Sequence, residues 1–115
     1  MVHLDVFQAV ADPTRRRIVE ALRDGPQQVN DIVGRLDIQQ SGVSRHLHIL
    51  LDSGFVQVQP EGQRRLYSLR PEPFRELEAW AASCRQHWEA RLGRFGEAVE
   101  RKHKARTVKH KEQKL

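Results

Sequence analysis

Between residues 40 and 48 the chain carries Gln40, Ser41, Ser44, Arg45 and His48, and from residue 38 to residue 51 it has neither Asp nor Glu. These are the side-chain types that meet nucleic acid. Arg pairs with the guanine edge, Gln with adenine, and Ser with either a base or a phosphate. Any solvated helix face is polar, but elsewhere acids balance bases, so an acid-free segment points to a polyanionic partner. Arg64 and Arg65 form a second basic pair. Beside such a helix they would reach a phosphate or the minor groove; the plainer reading is a hairpin kept soluble by charge, with Glu61 nearby. Arg15, Arg16 and Arg17 stand in a third group. In the first turn of a helix the macrodipole disfavours each by about 0.3–1 kcal/mol. Ion pairs with Asp5, Asp12 and Glu20 are the expected compensation, with phosphate contact as the alternative.

Other chemistry is thinly supplied. Cys84 and His87 lie three residues apart, so two copies of the chain could pool two Cys and two His around a metal. A thiol on an apolar stripe is more simply a small buried hydrophobe. His103 and His110 sit among lysines that oppose a divalent cation. The sequence has no phosphate-cradling glycine loop, HExxH or nucleophile elbow, so an enzyme is not expected and no cofactor is called for. A single cysteine forms no intrachain disulfide, leaving only a bond between two Cys84 residues, and it fits a reducing cytoplasm.

The elements that must position these residues are legible from periodicity. Leu4, Phe7, Val10 and Ala11 suggest a first helix that stops at Asp12-Pro13. Asp12 is a good N-cap and Pro13 suits the first helical position, so a second helix runs through Ile18, Ala21 and Leu22 to Gly25-Pro26. Val29, Ile32, Val33 and Leu36 mark a short third helix, with Asp37 able to take the left-handed conformation after it. On a helical wheel centred on Val43, Leu47 and Leu50 lie within about 40° of it, whereas Ser41, Ser44, Arg45 and His48 fall between about 100° and 200°. His46, near 300°, is expected to pack structurally. A short helix, a tight turn around Ile38 and a helix with polar groups outward is a helix-turn-helix layout. Residues 55–59 and 65–69 alternate as strands around turn formers at 60–64, a small wing that must pack on the helices to be stable. From Phe74, the residues Leu77, Ala81, Cys84, Trp88, Leu92, Phe95 and Val99 recur at steps of three and four. A stripe of that length exceeds what a small core covers, and a second copy of the chain is the expected cover.

The predicted class is mainly α with a small β-hairpin, a winged helix-turn-helix followed by a long dimerisation helix. The 115 residues suit one domain. Residues 1–99 are expected to form it, since their thirteen arginines are balanced by thirteen acids. The net charge of +5 resides in residues 100–115, where seven basic residues face two acids. That basic tail is expected to be mobile and to add sequence-independent phosphate affinity. No apolar run is long enough for a membrane span, and the start lacks the pattern of a secretory signal.

Taken together, residues 11–18 (ADPTRRRI), 43–50 (VSRHLHIL) and 62–67 (GQRRLY) resemble the ArsR/SmtB family of bacterial winged-helix repressors. The resemblance runs from about Leu4 to Trp88. It implies a homodimer whose first and last helices form the interface, bringing in Leu4 and Phe7 beside Leu77, Ala81, Cys84, Trp88, Leu92 and Phe95. It also implies paired recognition helices on an inverted-repeat promoter, repressing by blocking transcription. Metal sensors of that family carry a Cys-containing box in the third helix or an acidic and histidine pattern in the last. Residues 29–36 hold neither Cys nor His, and Cys84, His87 and Glu89 do not reproduce the second pattern, which resembles a branch without the metal box. Gln39 stands where the family often has a Ser N-cap, and Gly42 where it often has Thr or Ala. The expectation is thus a DNA-binding repressor with double-stranded DNA and a second copy of itself as partners, its inducer unspecified. The alternatives are a dimeric winged-helix protein-interaction module and a metal- or redox-responsive repressor using Cys84 and His87.

Overall fold

Two aspartates seven residues apart set the start of the fold. In the computed structural model, which describes residues 3–103, Asp5 caps α1 (Val6–Ala9) and Asp12 caps α2 (Pro13–Ala21). Asp12 must be extended to precede Pro13, and it is, at φ −84° and ψ 128°. That leaves room for only one helical turn, so α1 is shorter than the apolar spacing from Leu4 to Ala11 suggests. A 3-10 turn at Leu22–Asp24 and Gly25, at φ 126°, end α2. Next come α3 (Val29–Leu36) and α4 (Gln40–Asp52), joined through Asp37 in the left-handed conformation at φ 56°. The expected role of Asp37 is thus the observed one.

The hairpin pairs β1 (Val56–Glu61) with β2 (Arg64–Leu69), from Val56 opposite Leu69 to Glu61 opposite Arg64. Pairing continues through Pro60, so the connection is two residues, Gly62-Gln63, rather than the five-residue turn expected at 60–64. Gly62 supplies the positive φ, 65°, that such a tight turn requires. The hairpin is tied to the helices by its backbone: Gln27 N–H donates to Tyr67 O (3.0 Å), Tyr67 N–H to Gln27 O (2.8 Å), and Arg70 N–H to Phe55 O (2.9 Å). The last helix, α5, spans Glu72–His103.

The chain divides into two units, with the boundary between Glu78 and Ala79. In the first, Ile18, Ile32, Val43, Leu47, Leu50 and Phe55 are almost wholly buried. Phe74 meets Phe55 edge to face, with centroids 5.4 Å apart. Leu77, expected in a subunit interface, packs partly against the core of its own chain. In the second unit, Ala81 and Cys84 are exposed, and Trp88 (62%), Leu92 (47%) and Phe95 (66%) show large apolar surfaces. Cys84 is therefore not a buried hydrophobe within a single chain. No helix among the described residues is long and apolar enough to cross a membrane. The basic segment from residue 104 to 115, with His110, lies outside the described residues.

Candidate nucleic-acid interface

The site is built on α4. Its inward stripe of Val43, Leu47 and Leu50 is buried, as the wheel requires, and this turns Gln40, Ser41, Ser44, Arg45 and His48 to solvent. His48 Nε2 lies 3.8 Å from the carboxylate of Asp52 one turn on. The start of α4 differs chemically from the helices before it. Asp5 accepts from Gln8 N–H, Asp12 from Arg15 N–H, and Asp31 from Gln28 N–H, so α1, α2 and α3 each begin with a carboxylate on a backbone donor. Gln39, at the N-cap of α4, makes no side-chain cap, and the first turn holds no acid. Uncapped amide donors and the positive end of the dipole favour an anion there. Gly42 sits where the preceding turn comes close: a Cβ there would lie 3.4 Å from Ile38 Cγ2.

On the wing, Arg65 is exposed, and Arg64 is ion-paired with Glu61 across the two-residue turn. Exposed pairs of this kind contribute about 0–1 kcal/mol, so Arg64 can exchange its partner for a phosphate at small cost.

The three arginines of α2 find a different compensation from the expected carboxylates. Arg15 Nε donates to Ala9 O (2.7 Å), Arg16 Nη1 to Val10 O (2.8 Å), and Arg17 Nη2 to Leu36 O (3.1 Å). Each guanidinium thus lies at the carbonyl end of α1 or α3, where the dipole favours a cation. Arg35 acts alike on α2, donating to Ala21 O (3.1 Å) and to Asp24 (2.7 Å). Sequence reasoning missed Arg35, and its one local signal is its place eleven residues after an acid.

His46, expected to pack, is half-buried, and its Nδ1 lies 3.3 Å from Arg15 Nη1. Burial is the main cause holding its pKa below the usual 6.5; Asp12 opposes the shift, and Arg15 and Arg45 reinforce it. Asp12 is held below its ordinary 3.8, chiefly by the hydrogen bond from Arg15 N–H. Among the described residues no group of three His, Cys, Asp or Glu gathers to hold a metal. Cys84 and His87 both lie on α5.

A short helix, a tight turn, a second helix with an exposed polar face and a β-hairpin after it define a winged helix-turn-helix domain. Residues 12–58 match the family described as bacterial regulatory protein, arsR family. The chain is 43% identical over 65 residues to the HTH-type transcriptional regulator Rv2034 of Mycobacterium tuberculosis, which covers 56% of this chain and 61% of that protein. It is 33% identical to the transcriptional repressor SdpR of Bacillus subtilis, over 66% of this chain and 84% of the relative. A crystal structure of an ArsR family transcriptional regulator superposes with a TM-score of 0.66 at 37% identity, covering 73% of this chain and 87% of that one. The chain belongs to the arsR family of bacterial regulatory proteins.

Proposed function

We propose that the protein is a homodimeric transcriptional regulator that binds an inverted-repeat operator and represses by occluding the promoter. The observation that carries this reading is α4, exposed, free of acid from Gln40 to Leu51 and uncapped at its start. Gln40, Ser41, Ser44, Arg45 and His48 would enter the major groove, and Arg64 and Arg65 would hold the flanking backbone. The names of its relatives, a regulator and a repressor, support the same reading. Two half-sites about one helical turn apart require two linked subunits. The exposed face of Ala81, Cys84, Trp88, Leu92 and Phe95 supplies a surface for that linkage.

Selection from randomised duplexes, followed by gel shift with the enriched sequence, tests the reading. Arg45→Ala should weaken specific binding by about 5- to 150-fold, the cost of one good base contact, and leave the oligomeric state unchanged. Unaltered affinity would remove Arg45 from the interface. Failure of the wild type to enrich any duplex would instead favour a protein partner for α4.

A further inference from the structure

Arg15 stands out chemically: among the described residues it is the buried charged side chain, 8% exposed, in a core otherwise apolar. A guanidinium only donates, and a buried one must find acceptors. Here Nε donates to Ala9 O (2.7 Å), Nη2 to Gln8 O (3.2 Å), and Nη1 faces His46 Nδ1 at 3.3 Å. Because Arg15 cannot accept, Nδ1 is the acceptor and the ring proton resides on Nε2, so His46 is neutral in this contact. One group thereby joins the end of α1, the start of α2 and the flank of α4.

The apolar stripe of Val43, Leu47 and Leu50 sets which face of α4 meets the core, but the hydrophobic attraction itself is non-directional. A hydrogen bond to a ring at the edge of that stripe is directional. A roll of about 10° would carry a side-chain atom about 6 Å from the axis by about 1 Å, more than the roughly 0.5 Å that a productive contact tolerates. We propose that Arg15, acting through His46, is a positioning residue that fixes the roll of α4 and so the direction in which Ser44 and Arg45 meet a duplex. This rests on the DNA-binding function proposed above.

The groups facing His46 are Asp12 and Arg15 from α2 and Arg45 on α4 itself. Protonation below the ring's usual titration range removes the acceptor and sets the ring's charge against those of Arg15 and Arg45, leaving Asp12 as the only opposing charge among those groups. Specific affinity should then fall on acidification with an inflection belonging to His46.

The test compares wild type with His46→Phe, which keeps a flat ring but no acceptor, and His46→Asn, which keeps an acceptor that does not titrate. Arg15→Lys serves as a third variant, and circular dichroism confirms folding. Expected for His46→Phe is about a tenfold loss of affinity for the selected duplex with non-specific binding unchanged. His46→Asn should bind within about threefold of wild type at pH 7.5 and lack the acidic inflection. Wild-type affinity and an unchanged pH profile in His46→Phe would overturn the proposal. Residual dipolar couplings of the α4 amides, measured without DNA, should shift against those of α2 in His46→Phe. Unshifted couplings would overturn it whatever the DNA result. A wild type that enriches no duplex refutes the proposed function, and the couplings still decide the roll of α4.

Discussion

Replacing Trp88 by Glu tests the exposed face of α5 directly. A tryptophan buries about 150–250 Å², and Trp88 is 62% exposed in the single chain, so about 100–150 Å² of it is open to burial. At about 25 cal/mol per Å² this is about 2–4 kcal/mol per subunit, in the range measured when an interfacial tryptophan is removed. A two-fold interface uses the residue twice, so the dissociation constant should rise by about three to six orders of magnitude. Leu92 and Phe95 on the same face would add the cost of burying the new carboxylate between them. Sedimentation equilibrium over a concentration series reads the constant, with circular dichroism as the check on folding. Trp88 is absent from the hydrophobic core cluster, so the helix-turn-helix should stay folded. A variant that dimerises like wild type, or a wild type that is monomeric at millimolar concentration, would refute the assignment of this face.

Asp12→Ala removes the acceptor for Arg15 N–H and should lower stability by about 1 kcal/mol, or about 4–8 °C in Tm, measured by thermal denaturation. Because the pKa of Asp12 is lowered on folding, its stabilising contribution is present above about pH 4 and lost as the pH falls further. Asp12→Asn keeps the cap and should flatten stability against pH in that acidic window; an unchanged slope would mean that another carboxylate sets it. Gly42→Ala places its Cβ at ordinary contact distance from Ile38 and should stabilise α4 by about 0.5–1 kcal/mol in urea denaturation. A loss of stability would show that the turn tolerates no added methyl group.

The parts of the fold governed by neighbours in sequence were legible. Asp12-Pro13 marked the start of α2, Asp37 took the left-handed turn, and the Val43, Leu47 and Leu50 stripe set the outward face of α4. The errors have physical causes. Apolar spacing at residues 4–11 could not reveal that the cap at Asp12 would confine α1 to one turn. Turn-forming residues at 60–64 hid a ladder that runs on through Pro60, because an edge position needs no N–H there. The partners of Arg15, Arg16 and Arg17 were misjudged because charge suggests carboxylates, whereas helix carbonyl ends leave no mark in composition. Arg15 and His46 meet across 31 residues, and nothing local in the sequence announces such a pairing.

The bridge between Gln27 and Tyr67 has a mechanical consequence. A hairpin of two strands alone would swing about its root, but this one is stitched through both amides of a single residue pair to the junction of α2 and α3. Force on the tip at Gly62-Gln63 is therefore passed into the scaffold instead of being absorbed by a hinge. The root of the wing is thus set in place when the helices assemble, while the rungs beyond Tyr67 rely on their own ladder.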